Sequence, residues 1–95
     1  MKVGVLGSGV VGQTLASGFI KHGYDVMVGT RSKEKLSDWK LQAGKKARIG
    51  SFADTSAFGD VIVLAVKGTA AKSALKIAGE ENLREKTIID ATNPI

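Results

Sequence analysis

Short apolar runs and stretches of helical spacing take turns along this chain of 95 residues. Lys2 to Leu6 is apolar and β-rich, which predicts a buried strand. From Val10 to Lys21, Val11, Leu15 and Phe19 recur at helical spacing with Ala16 and Ile20 beside them. That helix is expected to stop at His22-Gly23, where glycine suits the C-terminal cap and Lys21 and His22 suit the negative end of the dipole. Tyr24 to Val28 predicts a second strand. Ser32 is a suitable N-cap for a helix reaching about Ala43, on which Leu36, Trp39 and Ala43 share one face. Ala47 to Ile49 predicts a short third strand, and Ser51 to Phe58 a short helix or turn. Val61 to Val66 is continuously apolar, as in a parallel strand covered on both faces. Thr69 to Ala78 reads as helix with Ala71, Ala74, Leu75 and Ala78 inward, Glu80 to Lys86 as a polar connection, Thr87 to Ala91 as a fifth strand, and Thr92-Asn93-Pro94 as a turn.

Strands alternating with helices predict an α/β fold: one doubly wound parallel sheet in a three-layer αβα arrangement. Right-handed crossovers give the strand order 3-2-1-4-5 of a Rossmann-type domain. The length accommodates one domain with a modest core. No repeat, linker or low-complexity segment interrupts it.

The first strand-to-helix junction carries Gly7-Ser8-Gly9-Val10-Val11-Gly12, a G-x-G-x-x-G match. The pattern alone is weak, but here it follows a predicted strand and opens a predicted helix. Gly7 suits the tight turn, Gly9 admits backbone close to a pyrophosphate, and Gly12 lets helix and sheet pack closely. The helix N-terminus offers unpaired N–H groups and a positive dipole to an anion. A dinucleotide is the ligand this arrangement predicts; glycines that merely relieve strain in a βα turn are the blander reading.

Charge refines the choice of dinucleotide. The net charge is +5, and the whole excess lies between Arg31 and Arg48, where seven basic residues face Glu34 and Asp38. An NAD-selective domain places Asp or Glu at the end of the second strand, about 20 residues after the glycines. Here the strand ends Val28-Gly29-Thr30; Asp25 is too early and Glu34 falls in the following helix. Thr30, Arg31, Ser32 and Lys35 stand there instead. A guanidinium can grip a phosphate with two hydrogen bonds, the hydroxyls can donate, and Lys35 returns to the side of Arg31. NADP(H) is therefore expected over NAD(H). An N-cap followed by ordinary surface charge is the alternative, and a solvated helix face suits Lys40, Lys45 and Lys46.

The chain has no cysteine, which removes disulfides, thiolate nucleophiles and thiolate metal sites. It presents no Ser-His-Asp set, paired carboxylates or metal-ligand cluster, so no catalytic residue and no metal ligand is assigned. That suits cofactor-borne chemistry, with the protein supplying orientation and electrostatics. Gly4, Gly7, Gly9 and Gly12 break the one apolar run that could mimic a signal peptide, and no stretch is long enough to span a bilayer. The expectation is a cytoplasmic protein without a membrane or nucleic-acid partner. A basic nucleic-acid binder using Lys40 to Arg48 is the outsider.

Four pieces, Lys2-Val-Gly-Val-Leu-Gly-Ser-Gly9, Gly29-Thr-Arg-Ser-Lys-Glu-Lys35, Val61-Ile-Val-Leu-Ala-Val66 and Asp90-Ala-Thr-Asn-Pro94, give the chain a family resemblance. Over its whole length it resembles the N-terminal domain of the NADP oxidoreductases that use a deazaflavin, coenzyme F-420. The resemblance implies reversible hydride transfer between NADP(H) and a deazaflavin. It places Ser8 to Val11 on the pyrophosphate, and Thr30, Arg31, Ser32 and Lys35 around the 2′-phosphate. Ala65-Val66-Lys67 and Asn93-Pro94 fall near the nicotinamide. The family continues into a C-terminal part that helps form the acceptor pocket and the dimer, so residues 1–95 are expected to be either the NADP-binding part of a longer protein or a stand-alone module. A non-catalytic NADP(H)-sensing module, and the cofactor domain of another reductase acting on imines or keto acids, stay open. The sheet edge near Thr87 to Ala91 invites pairing or homodimerisation. Lys67 and Asn93 have solvated and turn-bonding readings beside the functional ones. Asp90, His22 and Trp39 are read as structural.

Overall fold

A computed structural model describes residues 1–31, 33–66, 76, 79 and 86–91. Five strands, β1 (Lys2–Leu6), β2 (Asp25–Gly29), β3 (Ala47–Gly50), β4 (Val61–Leu64) and β5 (Thr87–Asp90), form one parallel sheet in the order β3-β2-β1-β4-β5. The predicted order 3-2-1-4-5 is thus the observed one. Leu6 lies level with Gly29 and Leu64, Gly29 with Gly50, and Leu64 with Asp90. The carboxyl ends of all five strands therefore finish along one line.

The pleat sends alternate residues to opposite faces. Val3, Val5, Val26, Val28 and Val63 join Ala16, Leu36 and Trp39 in one buried cluster. This is the face covered by α1 (Val10–Lys21) and α2 (Ser37–Ala43). Leu6, Ile62 and Leu64 join Phe52 in a second cluster, on the face covered by α3 (Phe52–Phe58). Buried aliphatic side chains of this kind contribute about 1.5–3 kcal/mol each. On the α3 face, Gly4 and Gly29 offer no Cβ, and α3 settles onto that smooth strip: a Cβ on Gly4 would lie 2.6 Å from the Thr55 carbonyl oxygen.

The ends of α1 and α3 follow local chemistry. His22 caps α1 and Gly23 follows at φ 93°; the N–H of Gly23 donates to Ile20 and that of Tyr24 to Phe19, closing a Schellman turn. In α3 the Ser51 hydroxyl accepts from the Asp54 N–H at 3.0 Å. At the other end of α3 the ammonium of Lys86, the residue before β5, donates to the carbonyls of Ser56 and Ala57. Between α1 and α2, the Trp39 indole donates to the Ser17 hydroxyl at 2.9 Å. Trp39 is core, as its spacing predicts.

Three local readings change. The helix expected from Ser32 to Ala43 is a 3₁₀ turn (Lys33–Leu36) followed by α2. Leu36, at φ −102° and ψ 1°, breaks the helical path between them, and both Leu36 and Trp39 are buried across the break. Val11 is 47% exposed rather than inward, because the first turn of α1 stands beyond the end of β1; Gly12 and Ala16 are its buried residues. The run Val61–Val66 is strand only to Leu64. The predicted helix from Thr69 to Ala78 lies outside the described residues except for Lys76, which is helical. β5 stands at the sheet edge with Ile88 and Ile89 exposed. Among the described residues no helix is long and apolar enough to cross a membrane, and no group of acidic residues and histidine is placed to hold a metal ion.

Candidate functional site

The level carboxyl edge of the sheet gathers the glycine turn, Thr30, Arg31, Ala65 and Val66 from among the sequence-predicted residues. The chain leaves β1 at Leu6 and turns at Gly7, whose φ of 129° L side chains rarely adopt. The Gly7 N–H donates to the Gly29 carbonyl at 3.1 Å, tying the turn to the end of β2. On the other side of β1, the Ala65 N–H donates to the Leu6 carbonyl at 2.8 Å, and a Cβ on Gly7 would lie 2.3 Å from the Ala65 carbonyl oxygen. Ala65 and Val66 thus form a wall beside the glycine turn, which is why the apolar run leaves the sheet there. The turn sits where the order reverses between β1 and β4, the crevice in which open α/β sheets bind ligands.

The three glycines of the fingerprint do different work. Gly7 is required by its backbone and its neighbours. Gly12 is required by contact: a Cβ there would stand 2.2 Å from the Gly7 carbonyl oxygen. Gly9 is required by neither. It has extended backbone, and a Cβ on it would meet nothing within 4 Å. Gly9 is also the N-cap of α1, a position where Ser, Asn or Asp would close the helix end with a side-chain oxygen; no side-chain cap forms here. The first turn of α1 therefore presents N–H groups and positive dipole over an open surface, with Val10 81% exposed beside it. Such a cradle fits a diphosphate.

Two contacts join this cradle to its surroundings. The Thr30 hydroxyl donates to the Ser8 hydroxyl at 3.0 Å, so the residue after β2 touches the middle of the glycine loop. The Gln13 side-chain amide donates to the Ser8 carbonyl at 2.8 Å, bracing the loop from within the helix. Sequence reasoning overlooked Gln13; a polar residue directly after the third glycine was its one visible signal. Thr30 is 6% exposed, and its N–H donates to the Gly50 carbonyl at 3.0 Å, linking the end of β3. Arg31 is exposed at the same edge, its guanidinium carbon 5.9 Å from the centre of the Phe52 ring. Phe52, too, was overlooked. Lys35 lies in the 3₁₀ turn, and Ser32, Lys67, Asn93 and Pro94 lie outside the described residues.

The basic segment divides between the two ends of the sheet. Lys46 donates to the Gly23 carbonyl at 2.8 Å, and Arg48 pairs with Asp25 at 3.8 Å with both side chains nearly half exposed. Arg48 and Lys2 both lie over the Phe58 ring, at 5.2 and 5.4 Å from its centre. These contacts sit at the amino end, against the beginnings of β1 and β2. Arg31 belongs to the carboxyl edge. Lys40 is exposed on α2, as a solvated helix face requires, whereas Lys45 and Lys46 are exposed in the turn after the helix rather than on its face.

Residues 2–94 match the model of the family described as NADP oxidoreductase coenzyme F420-dependent. The chain belongs to that family. It is 36% identical to an F420-dependent NADP reductase, so described, of Arthrobacter sp. FB24, superposing with a TM-score of 0.91 over 99% of this chain and 46% of that one. A reductive aminase from Aspergillus terreus, solved with NADPH and ethyl-5-oxohexanoate, is 25% identical with a TM-score of 0.79, over 98% of this chain and 32% of that one. A pyrroline carboxylate reductase from Plasmodium falciparum, solved with NADP bound, is 25% identical with a TM-score of 0.74, over 97% of this chain and 33% of that one. The chain thus spans from about a third to about half the length of these structures. No curated protein matches it.

Proposed function

We propose that this chain is the NADP(H)-binding domain of an oxidoreductase that moves hydride between NADP(H) and a deazaflavin of the coenzyme F-420 type. The observation that carries the reading is the contact between Thr30 and Ser8, with Arg31 beside it. It joins Thr30 to the glycine loop, and the next residue in the chain is a cation, at the point where an NAD-selective domain keeps a carboxylate.

The chain's own residues bind and orient. The N–H groups at the start of α1 and the open surface at Gly9 hold the diphosphate. Thr30 and Arg31, with Ser32 and Lys35 next in sequence, hold the ribose 2′-phosphate; a guanidinium suits it because it can make two charge-assisted bonds to one phosphate. Ala65 and Val66, with Lys67, Asn93 and Pro94 by family resemblance, flank the nicotinamide end. NADP(H), when bound, supplies the hydride chemistry, and the protein contributes position. The family and the 36% identity to the Arthrobacter protein support a deazaflavin acceptor. Likeness to the reductive aminase and the pyrroline carboxylate reductase supports a second reading, with an imine as acceptor. Following nicotinamide absorbance with NADPH and either a deazaflavin or a cyclic imine separates the two, and binding without turnover on either points to a nucleotide-sensing module.

The binding step has its own test. Arg31→Ala is expected to weaken NADPH by about 1.5–3 kcal/mol, the range for a charged hydrogen bond, and to leave NADH almost unchanged. Equal losses for both nucleotides would overturn the assignment of Arg31 to the 2′-phosphate.

A further inference from the structure

We infer that Phe52 is a positioning residue for cofactor choice: its ring holds the Arg31 guanidinium where a 2′-phosphate is to be met. The inference rests on the NADP(H) reading above and adds to it a residue from a different element.

Arg31 is exposed, and an exposed arginine loses rotamer freedom when a ligand fixes it. A surface that holds it beforehand lowers that cost. Phe52 provides such a surface. It is 7% exposed and packs with Leu6, Ile62 and Leu64, so its ring is part of the core rather than a mobile lid. It opens α3, directly after the capping Ser51. The guanidinium carbon lies 5.9 Å from the ring centre, within the reach of a cation–π contact.

The ring reaches Arg31 because Gly29 has no side chain. A Cβ on Gly29 would lie 3.0 Å from Phe52 Cδ1 and 2.9 Å from Thr55 Oγ1. The glycine that ends β2 thus admits Phe52 and Thr55 of α3 to the strand end, two residues from the arginine that lies over the Phe52 ring. One packing arrangement leaves no room for a longer residue at position 29 and supports the cation at position 31.

The test is a double-mutant cycle read on both nucleotides with the 95-residue chain. Dissociation constants of NADPH and NADH are measured for wild type, Phe52→Leu, Phe52→Tyr, Arg31→Ala and the pair Phe52→Leu with Arg31→Ala. Phe52→Leu is expected to weaken NADPH about two- to fivefold, matching an exposed cation–π contact, and to leave NADH unchanged. Phe52→Tyr keeps the ring face and is expected to bind as wild type does. On the Arg31→Ala background, Phe52→Leu is expected to change nothing further. Where Phe52→Leu unfolds, Phe52→Met fills the space without a ring face and carries the same expectation. Equal weakening of both nucleotides, or an undiminished loss on the Arg31→Ala background, would overturn the inference by making Phe52 a general support. A wild type that does not prefer NADPH overturns the parent reading and this one together. A wild type that prefers NADPH, with the preference intact in Phe52→Leu, overturns this one alone.

Discussion

Two glycines of α1 should respond in opposite directions to the same added methyl. A Cβ on Gly12 would stand 3.0 Å from the Gly7 carbonyl carbon and 2.2 Å from its oxygen, the latter more than 1 Å short of the 3.4 Å where ordinary contact begins. Both partners are backbone. Gly7 cannot retreat easily, because its N–H is tied to Gly29 and Ala65 packs behind it. Forcing extra volume into such a contact costs about 1–3 kcal/mol, and the upper part of the range applies where no flexible side chain can yield. Alanine returns about 0.5–1 kcal/mol of helix propensity, leaving a net loss of about 2 kcal/mol. Gly18 lies in the same helix, exposed, and a Cβ on it would meet nothing within 4 Å. There the propensity gain stands alone. At about 4–8 °C per kcal/mol for a domain of this size, Gly12→Ala should lower the melting temperature by about 10 °C, and Gly18→Ala should raise it by about 2–8 °C. Thermal unfolding by circular dichroism reads both. Gly12→Ala should also weaken NADPH and NADH alike, since the whole loop shifts, whereas Gly18→Ala should weaken neither. Shifts of the same sign, or a Gly12→Ala protein that melts and binds as wild type does, would refute the packing argument.

Other positions give smaller effects. Gln13→Leu removes the amide that braces the Ser8 carbonyl, a bond worth about 0.5–1.5 kcal/mol; calorimetry should show both nucleotides weakened to the same extent, and a change confined to one would place Gln13 against the ribose instead. Thr55 is fully buried, and its hydroxyl has no hydrogen-bond partner among the described residues. Thr55→Val keeps the shape and removes a desolvated group that costs about 1–3 kcal/mol unpaired, so the urea midpoint should rise; a fall would show that the hydroxyl is bonded.

The sheet and the cradle were legible because both rest on spacing. Solid apolar runs at regular intervals specify covered parallel strands, and three glycines between a strand and a helix specify the turn. The ends of elements were less legible. Val61 to Val66 is uniformly β-forming, and nothing local marks that Ala65 must leave the sheet to wall the Gly7 turn. Val11 has helical spacing, yet it stands past the end of β1, where no strand remains to cover it. The break at Leu36 was not legible, because Leu36, Trp39 and Ala43 would share one face of a continuous helix just as well. Gln13 and Phe52 were invisible for different reasons. The Gln13 bond exists only once the loop has its fold. Phe52 meets Arg31 across 21 residues of chain, a contact made by the sheet order rather than by any local pattern. The end of β2 was legible as a place without an acid and with basic residues after it, and the structure joins Thr30 of that stretch to Ser8 of the glycine loop.

The most direct measurement is calorimetric titration of NADPH and NADH into the wild-type chain at low and moderate salt. Preferred binding of NADPH, with the gap between the two narrowing as salt rises, is the predicted result, since an exposed guanidinium–phosphate contact is screened by ions. Tighter binding of NADH, or equal affinities at both salt concentrations, would contradict the claim that the end of β2 selects the extra phosphate.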